Sequence, residues 1–544
     1  METTAKLHVP VLIAGGGITG LTAALFLLQQ GIRPLLAERH PGTSIHPRAR
    51  GFDIRTMELF RELGLSEAIR EAGKALGPAW GILRAETLAA AMAPVKPREG
   101  GKITYPSQLK GLEHLAAMSP ETGARCTQDL AEPVLRAAAE ERGADLRFST
   151  EMTGFSQDHH GITATLKNRE TGEITTITAD YLIAADGANS PVRKQLNLPL
   201  TGPGVLAHFL NIYFEADMAD LVRDREFSIC IIDKPEILGF VSSINNSNRW
   251  VYQLRYHPSA GEQPADYPEA RLLGILHSAL GIPDLPVKIL NVLPWEMTAR
   301  VTDTMQSGRI FLIGDAAHIM TPYGGKGANT GIQDAQNIAW KMAAVLKGHA
   351  APSLLNTFST ERQPIGLANS LRSATLADAQ GMLKEEEIFR RQPATQYQHW
   401  PSDHQEKPSE LEATRHLRTL LGIPDYQYPV NITSITPELP ASKVFYGIPG
   451  TRLPHLWMDE THATSVLDVV GGEFTLFVNG DTTPWKAALA KHSIPVQLIP
   501  LTGNILKQWE DNTGCLPGEA LLVRPDGFVA WRGTTDLPLE QILR

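Results

Sequence analysis

Residues 308–341 read GRIFLIGDAAHIMTPYGGKGANTGIQDAQNIAWK: a strand-like run enters Gly314-Asp315, and a glycine-rich turn then leads into a helix. Two other stretches belong with it. Near the N-terminus VLIAGGGITGLTAALFLLQQG (11–31) precedes Glu38, and midway AADGANSPVRKQL (184–196) carries Asp186-Gly187. Three nucleotide-handling signatures therefore follow one another in a fixed order along one chain.

The first has a mechanism of its own. Val9 to Ala14 reads as a buried parallel strand, and Gly15, Gly17 and Gly20 fit the GxGxxG turn. In that turn glycines allow a tight bend, backbone approach to a pyrophosphate and close helix packing. The helix from about Ile18 presents its N-terminal amides to phosphates. A second apolar strand, Ile32 to Ala37, ends at Glu38, 23 positions after Gly15, where a carboxylate accepts hydrogen bonds from a ribose.

Together the three signatures resemble the class A flavin-dependent aromatic hydroxylases, the single-component FAD monooxygenases built like para-hydroxybenzoate hydroxylase. The resemblance implies that Asp315, after Gly314, holds a ribityl chain. It also lays the turn Pro322 to Asn329, with Gly325, Gly327 and Ala328, along the pyrophosphate and isoalloxazine. Arg39 beside Glu38, Arg48 in HPRARG and Gln128 in CTQDLAEPVLR are implied FAD contacts, and Asp186-Gly187 is implied to serve both FAD and the pyridine nucleotide. His318 reads as part of the flavin frame and not as a metal ligand; no metal is expected. Lys326, where many relatives are uncharged, has two placements open to it, near the flavin or into solvent, of which solvent is the expected one. No second GxGxxG accompanies a strand, which excludes the two-dinucleotide-domain reductases and leaves NAD(P)H, with NADPH favoured, as a transient visitor to a shared cleft.

Composition bounds the rest. At about 150 residues per domain, 544 residues make roughly three to four domains. A formal charge of −9 offers nothing to nucleic acid or an anionic membrane. Only Cys126, Cys230 and Cys515 occur, without a CxxC, so neither a disulfide framework nor a zinc site is expected and a reducing cytoplasm fits. The apolar run Pro10 to Leu28 is explained by its strand-turn-helix register, and no membrane anchor is expected. No HExxH, GxSxG or Walker-type pattern redirects the reading.

The expected fold is α/β: a glutathione-reductase-like, Rossmann-type FAD domain assembled from 1–75, 105–190 and 290–375, and a β-sheet substrate domain from 76–104 and 191–289. A helical segment and linker (376–429) lead to a thioredoxin-like domain (430–544). Short aromatic and β-branched runs between 200 and 300 suggest a mostly antiparallel sheet. Alternation pairs Asn211 with Tyr213 and Gln253 with Arg255, and these, with Tyr252 and Trp295, are the pocket candidates. No catalytic base is named. Where a redox thioredoxin carries its cysteines this chain has Gly480-Asp481-Thr482-Thr483, so the last domain is expected to be structural or dimer-related.

The implied reaction is hydroxylation of a phenolic or polycyclic, polyketide-like aromatic by molecular oxygen through a flavin C4a-hydroperoxide, as in antibiotic pathways, in a monomer or homodimer. Baeyer-Villiger insertion or modification of an existing antibiotic would leave the same motifs. A flavoprotein that binds a planar aromatic without turnover is the non-enzyme alternative.

Overall fold

The computed structural model describes residues 7–93, 118–384, 418, 422–430 and 446–543 apart from 493, 535 and 536. Much of the expected helical segment and linker lies outside them, as do 94–104 of the expected substrate domain, 105–117 of the expected FAD domain and 431–445 of the expected thioredoxin-like domain.

The first sheet carries the strand order Gln306–Ser307, Ile310–Leu312, Ile174–Ala184, Leu7–Ala14, Leu35–Ala37, Asp145–Arg147. From Ile310–Leu312 to Asp145–Arg147 its pairs are parallel. The hairpin Thr150–Gln157 and Ile162–Asn168 joins it antiparallel through Ile174–Ala184. Val11 to Ala14 and Leu35 to Ala37 are buried, as strands covered on both faces must be. The second strand is shorter than the expected Ile32 to Ala37, because the Ile32 amide is spent on Leu27 O, 2.8 Å away, closing the preceding helix, and Pro34 has no amide to give.

The second sheet runs His318–Ile319, Lys288–Thr302, Leu200–Glu215, Arg249–Tyr256, Gly239–Ser243, Phe227–Ile232, Trp80–Ala85. It is antiparallel except at its last pair, where Trp80–Ala85 runs parallel to Phe227–Ile232. The expected boundary at 290 falls inside Lys288–Thr302, most of which pairs with Leu200–Glu215; the chain crosses back to the first sheet only after Thr302. One face packs Trp250, Tyr252 and Leu254 against the helix Glu269–Leu280, and the other faces the nucleotide-binding half.

The third sheet, in the order Val496–Leu501, Phe474–Asn479, Ala520–Val523, Val529–Gly533, has one parallel and two antiparallel pairs, with helices Thr483–Leu489 and Gly503–Thr513 in the connections. This is the thioredoxin-like order. Gly480 to Thr482 lie between the first strand and its helix, which Thr483 opens, and the three cysteines are buried and unbridged. The domain docks through buried charges: Arg524 meets Glu361 at 2.7 Å, Glu361 also takes Lys341 at 2.8 Å, and Arg452 pairs with Glu58. Among the described residues no helix is long and apolar enough to cross a membrane.

Candidate cofactor and substrate cavity

Two glycines of the first turn, Gly15 and Gly20, leave no room for a Cβ, whereas one on Gly17 would lie 3.6 Å from Glu132 Oε1, an ordinary contact. Gly15 has φ +108, and a Cβ on it would lie 2.3 Å from Ala185 O; one on Gly20 would lie 2.0 Å from Gly15 O. The strand Leu7–Ala14, the turn before Asp186 and the helix Ile18–Gln29 are thereby pressed together. That helix begins at Gly17 without a side-chain cap or an acid in its first turn, although the Glu132 carboxylate already accepts from its Ile18 amide. Glu38 accepts from the Gly16 amide at 2.6 Å and the His40 amide at 2.8 Å, which fixes its carboxylate at the end of the second strand. Arg39 beside it is exposed.

A second helix, Gly327–Leu346, starts at the end of the glycine-rich turn, again uncapped and without an acid in its first turn. Both N-termini border one cavity of about 1570 Å³. Gly17, Arg48, Gln128, Asp315, Pro322, Gly325, Gly327, Ala328 and Asn329 line it. The volume exceeds the ~300–1,000 Å³ of an ordinary small-molecule pocket, enough for a dinucleotide and a second ligand. Asp315 is open to the cavity, yet burial within the protein raises its carboxyl above the ordinary range, against the pull of His318 and Arg48. Asn329 ties the walls: its Oδ1 accepts from the Asp53 amide at 3.0 Å and its amide donates to Gly325 O at 2.6 Å.

Beneath Gly314-Asp315 lies a buried ionic chain. Asp334 accepts from His318 Nε2 at 2.6 Å, Arg362 Nε at 2.7 Å and the Gly314 amide at 3.1 Å. Burial alone would raise its carboxyl, but His318 and Arg362 outweigh that and hold it low. Arg362 continues to the hydroxyls of Tyr426 and Tyr428, both 3.1 Å away. His318 is thus part of the frame beneath the motif, and no cluster of metal-ligating side chains occurs among the described residues.

Several sequence expectations meet a different geometry. Lys326 does not point into solvent: its Nζ is 3.2 Å from Asp53 Oδ2 and its side chain, 19% exposed, lines the cavity. Asp186 is turned away from the wall that Ala185, Gly187 and Asn189 form; its Oδ2 accepts from the Val192 amide, 3.1 Å away, at the start of the next helix. Gly15, Gly20 and Gly314 shape the cradle from behind. Of the pocket candidates, Asn211, Gln253 and Trp295 line the cavity, and Trp295 Nε1 donates to Asn211 Oδ1 while its ring stacks on Phe209 at 5.2 Å. Tyr252 is corrected to core: alternation sends it to the opposite face from Gln253, and its hydroxyl donates to Ile237 O. Tyr213 stands behind the wall, 5.8 Å from the His46 ring with its hydroxyl 3.3 Å from Arg249, and Arg255 lies beyond it, opposite Asp378.

The sequence reading passed over His46, Arg50 and Ser242, which also line the cavity. His46 and Arg50 sit in the very string that carries Arg48; only the fold shows that alternate residues of that loop serve different walls. Burial, then Arg48, lowers His46 to about 4, so it is a neutral imidazole, and neither ring nitrogen has a partner.

A turn with no room for a Cβ at Gly15 and Gly20, two helix N-termini without side-chain caps and a carboxylate open to the cavity suit a dinucleotide. The family described as "FAD binding domain" matches residues 8–373, and "Aromatic-ring hydroxylase, C-terminal" matches 446–544. The chain belongs to this family of FAD-dependent aromatic-ring monooxygenases. It is 38% identical to a putative polyketide hydroxylase of Streptomyces halstedii over 98% of this chain and 95% of that protein. It is also 38% identical to the tetracenomycin A2 monooxygenase-dioxygenase of Streptomyces glaucescens, over 96% and 93%. Among solved structures, aklavinone-11 hydroxylase in complex with FAD and aklavinone superposes with a TM-score of 0.79 at 28% identity, covering 98% of each chain. The flavin-dependent monooxygenase PieE with FAD and substrate gives 0.76 at 29%, covering 99% of this chain and 98% of that one.

Proposed function

We propose that the protein hydroxylates a polycyclic phenol or quinone of the polyketide kind, with NADPH as reductant. The observation that carries this reading is that one cavity has the nucleotide cradle as one wall and the inner face of the second sheet as the other. A planar ring laid against Asn211, Gln253 and Trp295 faces the turn Pro322–Asn329 across it.

In this reading Glu38 accepts from the adenosine ribose, Asp315 accepts from ribityl hydroxyls, and the two helix N-termini with Arg48 carry the negative charge of the pyrophosphate. Gln128 and Asn329 hold the polar edges. Bound FAD supplies electron transfer from the nicotinamide and activation of dioxygen, so that one oxygen atom enters the ring and the other leaves as water. The chain's own share is to place the ring, to close the space against solvent and to keep His46 neutral beside it. Three buried thiols suit a reducing cytoplasm. The 290–375 portion of the FAD domain is proposed to begin after Thr302, and a monomer or homodimer is proposed.

The test is to supply polycyclic phenols and quinones to the FAD-loaded protein with NADPH under ¹⁸O₂. Aromatic-stimulated NADPH oxidation and a product heavier by one ¹⁸O on an intact ring support the reading. A ring-expanded lactone means Baeyer-Villiger insertion, and tight binding without turnover means a binding protein.

A further inference from the structure

The sheet-side wall of the cavity carries a cation that no carboxylate among the described residues balances. Arg50 lines the cavity, and its Nη1 donates to the carbonyl of Ser228 at 2.8 Å and reaches that of Ser243 at 3.4 Å. Both carbonyls belong to the second sheet, so the guanidinium is anchored on the side away from the nucleotide cradle. The backbone arranges this through Ala49, which takes φ +41, a left-handed conformation that a residue with a Cβ adopts at a cost. The turn parts its neighbours: Arg48 acts on Asp315, while Arg50 reaches the strands.

Among the described residues no carboxylate faces Arg50. The charged group that acts on it is another cation, Arg125, whose Nη1 is spent on Gly77 O. Burial, then Arg125, brings Arg50 down to about 10, so it is still protonated at neutral pH. A buried cation without a counter-ion is unfavourable, and an anion placed against it relieves the penalty.

Two further polar atoms on the same wall are unsatisfied. Ser242 Oγ and Gln253 Oε1 are buried, border the cavity and have no hydrogen-bond partner among the described residues. Ser242 pairs with Val251 and Phe240 with Gln253, so the two are diagonal neighbours on one face of adjacent strands, roughly 7–8 Å apart. Ser242 immediately precedes the residue whose carbonyl Arg50 reaches.

We infer that Arg50, Ser242 and Gln253 form a subsite that recognises an anionic oxygen on the substrate, a carboxylate or an ionised ring hydroxyl, with neighbouring substrate oxygens hydrogen-bonded to the serine and the glutamine. The inference rests on the cavity being the aromatic-substrate site. A guanidinium matches a carboxylate with two parallel hydrogen bonds and an aryl oxide with one. When a hydroxyl is the ligand, its O–H bond breaks, the proton goes to solvent, and Arg50 keeps its own.

The test uses FAD-loaded protein and three probes: anthraquinone-2-carboxylate, its neutral counterpart anthraquinone-2-carboxamide, and 1-hydroxyanthraquinone, whose colour reports ionisation. The carboxylate is expected to bind at least about tenfold more tightly than the carboxamide. Arg50→Met should erase that preference and Arg50→Lys keep part of it. Ser242→Ala and Gln253→Leu should weaken the probes while the preference for charge persists. FAD affinity should hold in all four variants. If the bound hydroxyl ionises at least about one pH unit below its free value and Arg50→Met cancels the shift, the anion is a ring hydroxyl; a charge preference confined to the carboxylate identifies a carboxylated substrate. The subsite is overturned if carboxamide and carboxylate bind alike while the hydroxyl probe stays neutral. It is equally overturned if the preference survives Arg50→Met, or if that variant loses FAD instead of probe. Turnover of a neutral phenol alongside those results would leave the hydroxylase reading standing, whereas failure of every aromatic to bind sinks both.

Discussion

Replacing Asp334 by asparagine isolates the buried frame beneath Gly314-Asp315. Asp334 is inaccessible to solvent and serves His318, Arg362 and the Gly314 amide at 2.6, 2.7 and 3.1 Å. Asparagine keeps the shape, removes the charge and turns one acceptor into a donor, leaving Arg362 in the interior without its anion. Removing one member of a buried pair costs about 3–5 kcal/mol. At about 2–4 °C per kcal/mol for a domain of this size, the first unfolding transition should fall by roughly 6–20 °C. The Gly314 amide loses its anchor too, so the turn bearing Asp315 should loosen and FAD should bind about tenfold more weakly, with NADPH-dependent flavin reduction recovering at saturating FAD. The acidic limb follows with a definite sign. The folded carboxyl lies below its ordinary value, so the wild type holds this contribution at neutral pH and loses it as pH falls through the folded value, a loss the variant should lack. Calorimetry with and without FAD, and titration of flavin fluorescence, check this. A variant melting within about 2 °C of wild type with unchanged FAD affinity would refute the argument that the ionic chain supports the motif.

Gly15→Ala should abolish FAD retention, since its Cβ would meet Ala185 O at 2.3 Å; absorbance of the purified protein reads this directly. Tyr252→Phe should cost about 0.5–1.5 kcal/mol of stability and leave substrate affinity alone, because its hydroxyl serves Ile237 O and not the cavity; a change in affinity with intact stability would return it to the pocket. Replacing all three cysteines by serine should spare flavin reduction and oxygen transfer, and loss of either in a folded, FAD-loaded variant would show thiol chemistry. His46 and His455 both lie near 4, below the ordinary 6.5, so the unfolded chain binds more protons and apoprotein stability should fall as pH drops from about 6.5 to 4, by up to about 3 kcal/mol per histidine. Denaturant melts of wild type and His46→Asn across that range measure the slope.

The cofactor half was legible because its chemistry is local. A turn that forces glycine at Gly15 and Gly20, followed by an uncapped helix, leaves a fixed spacing in any sequence, and the strand run into Gly314-Asp315 does the same. The substrate half was less legible. Alternation correctly brought Asn211 and Gln253 to the cavity, but it gives parity and not extent, so Tyr213 and Arg255 share the right face and still fall short of or beyond the opening. Tyr252 shows the parity rule overridden by a preference for aromatics. The surroundings of Asp186 and Lys326 were not legible for one reason: whether a charged side chain serves a ligand, a helix start or a neighbour such as Asp53 depends on contacts 6 to 273 residues distant, and no local pattern carries them.

The docking of the last domain has a consequence for how the molecule can be divided. Its Arg524 completes the charge of Glu361, its Asp526 accepts from Trp340 at 3.1 Å and Asn337 at 3.2 Å, and Tyr428, just ahead of it, touches the arginine that holds Asp334. A shortened chain ending near residue 375 would uncover the apolar faces of Trp340 and Leu354 and take from Glu361 its Arg524 partner, leaving it Asn337 and Lys341. The appendage is therefore the rear wall of the nucleotide fold rather than a detachable module, and a protein cut down to its motifs would forfeit the support under the motif it retains.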